Sequence, residues 1–270
     1  MTMPATKAPA DPADRPRVNP PANPLVNFVV AGVQKGGTRA LRHFLEQHPE
    51  IGLSRPDIPE THFFDRRILR VKPGSYQAYH QLYDPDALAC KAVGDITPIY
   101  VFDPDIHPRI HAYNPDMKII VLLRDPVARA YSQWAMEYQR DTESRPFLKA
   151  LLHEWKLSRS QPRHPVHSYV QRGFYARQLE RLFDCFPREN CLILRSEELK
   201  EQHGDTLVRV CRFLGVDEAH VPPPERVHTR RYDAPIPKAL AFVLRRIFAS
   251  DIRRLERLMG WDCSHWRRFL

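Results

Sequence analysis

The sequence predicts an α/β protein with a mainly parallel central sheet flanked by helices, and three observations support this fold class. Short apolar runs rich in β-branched residues alternate with stretches of helical periodicity. Most positions within these runs are apolar, which is typical of strands buried on both faces of a parallel sheet. The chain has 270 residues, of which 43% are hydrophobic, enough for the core of one sizeable domain.

The elements follow in order along the chain. Residues 1–24 hold 7 of the 26 prolines and few large apolar side chains, so we expect a disordered leader followed by a single domain over 25–270. Strands are predicted at 26–31, 91–93, 118–123 and 191–194. Helices are predicted at 38–48, 127–140, 146–157, 168–185, 205–214 and 238–258.

Charge indicates an anionic ligand or partner. Lys and Arg number 41 against 32 Asp and Glu, a net charge of +9, and residues 226–270 contribute 11 basic against 4 acidic side chains. No apolar run approaches the ~18 residues of a membrane helix, and no secretory signal is visible. We therefore expect a cytoplasmic protein without a membrane span.

Cysteine and histidine spacing argues against a metal centre. The five cysteines are odd in number and have no CxxC pair, so free thiols are expected. His107 and His111 have the spacing of a metal pair, but Pro108 is expected to disrupt a helix there, and no third ligand is evident. We predict no metal.

The first candidate site lies between the first strand and the first helix. Lys35, Gly36 and Gly37 precede Thr38, which opens the helix, so backbone amides and the positive end of the helix dipole face an anion. Lysine precedes the glycines, unlike the GxxxxGK[ST] loop of nucleoside triphosphatases. The alternative is a tight turn with an exposed lysine.

A second strand-to-helix junction offers another phosphate site. Asp125 is the expected N-cap and Pro126 the first helical residue. Arg124 then lies at the carboxyl end of a strand, with Ser132 about two turns into the helix, so both can reach one phosphate. The alternative is an arginine paired with a carboxylate and a serine on a solvated helix face.

The two junctions together resemble the sulfotransferases that use 3′-phosphoadenosine 5′-phosphosulfate (PAPS). The segment Gly32–Leu41 resembles their 5′-phosphosulfate loop, and Leu123–Ser132 resembles their 3′-phosphate motif. The resemblance implies the P-loop-like sulfotransferase fold, PAPS as co-substrate and no metal. It assigns donor contacts to Lys35, Gly36, Gly37, Thr38, Arg39, Arg124 and Ser132.

A third segment is similar to the heparan sulfate 3-O- and N-sulfotransferase type. Glu60–Asp65 resembles that group's Glu-x-His-Phe-Phe-Asp, which implies that Glu60 is the catalytic base. His62 either orients the acceptor or packs as a structural residue, and Asp95 is the reserve base. Thr229, Arg230 and Arg231 stand where the family has its Lys-Gly-Arg cofactor segment, and the resemblance implies contacts with the 3′-phosphate.

The segment that would contact the acceptor departs from the family pattern. Asp95–Pro98 reads Asp-Ile-Thr-Pro where the family has Glu-Lys-Thr-Pro, so a lysine contact to heparan-type substrates is lost. The family's C-terminal disulfide loop and Golgi anchor are also not found, which suggests a bacterial-style relative. We expect a hydroxylated saccharide, a cell-surface or capsular polysaccharide or its precursor, which can be acidic; a small secondary metabolite is the alternative.

Two other function classes are weaker. A nucleotide-dependent kinase or triphosphatase lacks its lysine order and a Mg²⁺-binding motif. A nucleic-acid-binding module would use the basic C-terminus, but the arginines of 238–258 lie on an amphipathic helix and are read as a solvated face. We expect no nucleic-acid partner.

Overall fold

The structure, a computed structural model, describes residues 25–65, 76–161, 163–225, 227 and 235–267. The predicted leader and Thr229, Arg230 and Arg231 lie outside these residues. The strands are β1 (Phe28–Gly32), β2 (Ile51–Leu53), β3 (Ala92–Ile96), β4 (Lys118–Leu123) and β5 (Cys191–Arg195). The helices are α1 (Thr38–Leu45), α2 (Gln77–His80), α3 (Pro85–Leu88), α4 (His107–Tyr113), α5 (Pro126–Gln139), α6 (Phe147–Leu157), α7 (Tyr175–Phe183), α8 (Ser196–Glu201), α9 (His203–Leu214), α10 (Lys238–Met259) and α11 (Ser264–Arg267).

The five strands form one parallel sheet in the order β2-β3-β1-β4-β5, which confirms the predicted fold class. The chain starts at the centre with β1, builds one side through β3 and then crosses to β4 on the other side. The neighbouring strands β1 and β4 are followed by connections to opposite sides of the sheet, and such a switch point leaves a crevice at their carboxyl ends, where open α/β sheets bind ligands.

Alternate residues of the central strands enter two separate cores. On β1, Val29 and Ala31 join the core that holds α4, α5, α6, α7 and α10, whereas Phe28 and Val30 join the core beneath α1, α8 and α9. Both faces of the sheet are therefore covered by helices, as the continuous apolar runs predict.

Local signals predict the two helices that start at the site. Thr38 opens α1 after Gly37, and the Asp125 carboxylate accepts the amide protons of Val127 and Ala128 at 2.8 and 3.0 Å. Pro126 stands in the first turn of α5, where its missing amide costs nothing. Both junctions agree with their sequence predictions.

Two expectations about helices are wrong. The helix predicted at 168–185 spans only Tyr175–Phe183, because the buried Glu154 carboxylate takes the amides of Val170 and Gln171 at 2.8 to 3.0 Å. Pro108 does not prevent a helix at His107–Tyr113, because it stands in the first turn.

The sequence does not predict six of the shorter elements: the strand β2 and the helices α2, α3, α4, α8 and α11. All five cysteines are unpaired. No group of three or more His, Cys, Asp or Glu side chains within the described residues could hold a metal ion.

Candidate active site

The loop from β1 to α1 has the shape of an anion cradle. Lys35 and Gly37 both have positive φ, 71° and 104°, so the backbone turns sharply before the helix begins. A Cβ on Gly36 would lie 2.4 Å from the carbonyl oxygen of Leu122, so only glycine fits there. The first amides of α1 have no partner within the helix and point out of its N-terminus.

The structure brings the two predicted phosphate motifs together. The Arg124 guanidinium donates a hydrogen bond to the Lys35 carbonyl at 3.2 Å, and the Tyr175 hydroxyl donates to the Arg124 carbonyl at 2.8 Å. Lys35 Nζ lies 3.7 Å from Met136 Sδ on α5. Ser132 is buried one helical turn before Met136, on the same face of α5. Lysine, arginine and serine thus surround one region.

The side chains of the Glu60–Asp65 segment form a second cluster. His62 Nε2 lies 3.2 Å from a Glu60 carboxylate oxygen, and its Nδ1 lies 2.8 Å from Asp65 Oδ2. Burial alone would lower the pKa of His62, but the hydrogen bonds and negative charges of Asp65 and Glu60 outweigh it and raise the pKa to about 9. At neutral pH His62 is therefore an imidazolium held between two carboxylates.

Four hydroxyl groups surround Asp95 at the end of β3. Thr61 and Thr97 donate to its carboxylate at 2.7 Å, Tyr79 at 3.0 Å and Tyr100 at 3.1 Å. Burial raises the pKa of Asp95, against the opposing effect of these hydrogen bonds. The expectation of Asp95 as reserve base does not fit this arrangement, because both carboxylate oxygens already accept hydroxyl hydrogen bonds inside the core.

The hydroxyl groups around Asp95 also hold the backbone of the Glu60–Asp65 segment. The Thr97 hydroxyl accepts the amide proton of His62 at 3.4 Å, and the Tyr100 hydroxyl accepts that of Phe64 at 3.3 Å. Thr61 stands between Glu60 and His62 and is itself bound to Asp95. The position of the Glu60 and His62 side chains therefore depends on a buried network that lies beneath them.

One cleft joins the phosphate cradle to Glu60. Its volume is about 220 Å³. Thr38 and Arg39 line it from the start of α1, and Glu60 lines it from the segment after β2. The remaining lining residues are Arg42, His43, Glu46, Pro59 and Ile96. Arg42 is buried and donates to Ser54 and to the Pro59 carbonyl at 2.7 to 3.1 Å, which fixes the chain before Glu60.

One contact that supports the cradle is not predicted from the sequence. The buried Arg172 guanidinium donates to the Gln34 side chain, beside Lys35, and to the Pro165 carbonyl at 2.6 Å. It also stands over the Phe102 ring, 5.3 Å from its centroid. The preceding sequence gives no local signal for this contact, since 138 residues separate Arg172 from Gln34.

Comparison with known proteins agrees with this geometry. The sulfotransferase domain family matches residues 26–230. A sulfotransferase from Alicyclobacillus acidocaldarius has a similar crystal structure, with a TM-score of 0.76 and 32% identity, covering 90% of this chain and 99% of that one. That likeness extends to nearly the whole of the bacterial protein.

Two curated relatives are heparan sulfate glucosamine 3-O-sulfotransferase 6 of Homo sapiens and of Mus musculus. The human protein is 35% identical over 188 residues, and the mouse protein 33% identical over 229 residues. These matches cover 70% and 79% of this chain but only 52% and 64% of the relatives, so the chain spans less than two thirds of their length. Because the sulfotransferase domain family matches residues 26–230, well over half of the sequence, the chain belongs to the sulfotransferase family.

Proposed function

We propose that this protein transfers the sulfuryl group of PAPS to a hydroxyl of a saccharide. The single observation that carries the proposal is the shared cleft, which both the start of α1 and Glu60 line. A donor bound at the cradle would present its sulfuryl group to an acceptor hydroxyl next to Glu60. Such positioning is the larger part of catalysis for group transfer of this type.

The residues of the two junctions fit the donor. Amides of Gly36, Gly37 and Thr38 suit the 5′-phosphosulfate, since Gly36 allows close approach of the backbone. Arg124 and the buried Ser132 suit the 3′-phosphate, because arginine binds phosphate through a planar fork of donors. Arg39, Thr229, Arg230 and Arg231 are proposed as further donor contacts.

The reaction is an in-line displacement at sulfur. The acceptor oxygen forms the new S–O bond while the bond to the 5′-phosphate oxygen breaks, and adenosine 3′,5′-bisphosphate leaves. Glu60 accepts the hydroxyl proton, and Lys35 stabilises the negative charge that develops on the leaving oxygen. His62, protonated at neutral pH, orients the Glu60 carboxylate through their 3.2 Å contact.

Two observations support a saccharide acceptor, and the second is compatible with an acidic one. The curated relatives named above are heparan sulfate sulfotransferases. Arg39 lines the cleft beside Glu60 and would offer a cation to an acidic acceptor, whereas Arg42 is paired with Glu46 at 2.6 Å and His43 lies 2.9 Å from Glu225. Ile96 stands in the cleft wall at the position of the family's lysine, which distinguishes this cleft from one built for heparan-type chains.

The test is sulfation of a panel of acceptors with radiolabelled PAPS and no added metal. The panel contains acidic polysaccharides, neutral polysaccharides and small hydroxylated metabolites, and products are separated by size. We expect label in the acidic polymers, and Glu60→Gln should abolish it while leaving affinity for adenosine 3′,5′-bisphosphate nearly intact.

Two outcomes would count against the proposal in different ways. Label confined to small molecules would replace the saccharide by a metabolite acceptor. Tighter binding of ATP than of adenosine 3′,5′-bisphosphate would remove PAPS as the donor. Half-exposed Glu218→Gln is the control for Glu60→Gln, because it also removes one carboxylate, and Glu218 lies on the loop after α9 and does not line the cleft.

A further inference from the structure

The outer face of α6 is apolar where a soluble protein is normally polar. Leu148, Leu152 and Trp155 are 55%, 53% and 59% exposed. Their spacing of four and three residues places them on one side of the helix. Single exposed apolar residues need no explanation, but a contiguous row of three large ones marks an interaction surface.

The same face is positively charged. Lys149 and Lys156 are exposed beside the apolar row, and the Arg159 guanidinium stands over the Trp155 ring, 4.6 Å from its centroid. The one acidic residue of α6, Glu154, is buried and turned inward to the amides of Val170 and Gln171. The α6 face, comprising Leu148, Lys149, Leu152, Trp155, Lys156 and Arg159, therefore carries no negative side chain.

The last turn of α5 extends this surface. Tyr138 is 48% exposed, and its ring centroid lies 5.3 Å from that of Trp134. Trp134 lies at the same centroid distance from Phe147, the first residue of α6. Tyr138 thus continues the apolar row beyond the N-terminal end of α6.

We propose that the α6 face docks on the surface of a lipid bilayer that contains anionic lipids. Aliphatic and aromatic side chains on one face with flanking Lys and Arg are the combination by which an amphipathic helix binds at a membrane interface. Negative headgroups attract the flanking cations, and the net charge of +9 adds to this attraction. No helix among the described residues is long and apolar enough to cross a membrane, so docking would be peripheral.

A second copy of the chain fits this face less well. A two-fold symmetric contact would bring the Lys149, Lys156 and Arg159 groups of both copies close together, and the like charges would repel. The phosphates of a nucleic acid would pair with the cations but would not cover the apolar side chains of Leu148, Leu152 and Trp155. The bilayer surface complements both the charge and the apolar side chains, and the proposal does not depend on the reaction proposed above.

The test is sedimentation of the full chain with vesicles of phosphatidylcholine alone or mixed with phosphatidylglycerol. We expect binding to the mixed vesicles only, weakened by salt. Lys149→Gln and Lys156→Gln should each lower the partition coefficient about fivefold. Leu152→Ser with Trp155→Ser should lower it at least about tenfold.

A matched control lies on α10. Phe242 and Ile247 are 45% and 42% exposed, also next to arginines, so Phe242→Ser with Ile247→Ser removes similar exposed apolar area elsewhere. This variant should bind vesicles like wild type, and thermal melts should show that both double variants fold. The proposal is overturned if the wild type does not bind anionic vesicles or if the α6 double variant binds them as strongly as the wild type. It is also overturned if the α6 and α10 double variants lose binding equally. A wild-type dimer that the α6 substitutions dissociate would assign the face to a second copy instead.

Discussion

The Thr61 hydroxyl donates a 2.7 Å hydrogen bond to Oδ2 of Asp95, and this bond ties the segment of Glu60 to the end of β3. Thr61 and Asp95 are both fully buried, so water does not compete for the bond. The same carboxylate oxygen accepts the hydroxyls of Tyr79 and Tyr100. Asp95 is thus a positioning residue, which acts on the proposed base through Thr61.

Asp95→Asn tests this role. An amide cannot accept all four hydroxyl hydrogen bonds, so we expect a loss of stability of about 1–3 kcal/mol. Displacement of Glu60 should lower kcat by about 10-fold to 100-fold, while affinity for adenosine 3′,5′-bisphosphate changes little. Kinetics and calorimetry of the same preparation separate the two effects. The exposed Asp105→Asn is the control, and equal losses of kcat and donor affinity in Asp95→Asn would mean general unfolding instead.

Lys35→Ala should lower kcat by about 10²-fold to 10³-fold, as expected for the removal of one preorganised donor from a site where negative charge develops. The measurement is single-turnover sulfation at saturating PAPS. Lys149→Ala removes an exposed lysine from α6 and serves as the control. A Lys35→Ala enzyme with wild-type kcat and only a raised donor KM would limit Lys35 to ground-state binding.

The three glycine substitutions Gly36→Ala, Gly37→Ala and Gly204→Ala should distinguish the destabilisation caused by a steric clash from that caused by backbone strain. At Gly36 a methyl group meets the Leu122 carbonyl at 2.4 Å, and we expect about 1–3 kcal/mol of destabilisation together with weaker donor binding. At Gly37 an added Cβ would make only ordinary contacts, at 3.8 and 3.9 Å, but φ is 104°, so about 1 kcal/mol is expected from strain. Gly204 has neither constraint and should be neutral or slightly stabilised in urea unfolding. Equal effects at all three positions would contradict the close approach at Gly36.

The sequence predicts the parts of the site that are encoded locally. The Lys35–Thr38 turn and the Asp125 cap are each decided by a few neighbouring residues, and both are found as predicted. The residue at which α7 begins is not decided by neighbouring residues alone. Gly173 is packed against Phe248 and Pro126, whose side chains would lie 2.6 and 3.1 Å from an added Cβ. The helical periodicity of the sequence before Tyr175 does not reveal that contact.

The network around Asp95 could not be predicted for the same reason. Its members come from separate segments, with Tyr79 16 residues and Thr61 34 residues before Asp95 in the sequence. Asp95 follows a predicted strand, and from the sequence alone its carboxylate could serve as a second base besides Glu60. Only the tertiary structure shows that the carboxylate faces inward to hydroxyl groups.

His62 should make the stability of the protein depend on pH in the alkaline range. Its pKa is raised from 6.5 to about 9 in the folded state by Asp65 and Glu60 against the effect of burial, so between these values the folded state binds more protons than the unfolded state. The contribution is therefore fully present below pH 6.5 and is lost as pH rises through about 9. It amounts to at most about 3 kcal/mol, reduced by solvent screening at the partly exposed Glu60.

The measurement is urea unfolding of wild type and His62→Gln from pH 6 to 10. Other groups also contribute to the pH dependence, including Cys191 and Cys263, because burial raises the pKa of both thiols in the folded state. The informative quantity is therefore the difference in unfolding free energy between the two proteins. That difference should be largest at pH 6 and shrink as the imidazolium loses its proton, because a neutral imidazole no longer pairs with both carboxylates. An NMR titration of the His62 ring should give a midpoint near 9. A midpoint near 6.5, with a difference independent of pH, would show that Glu60 and Asp65 do not hold His62 as a cation.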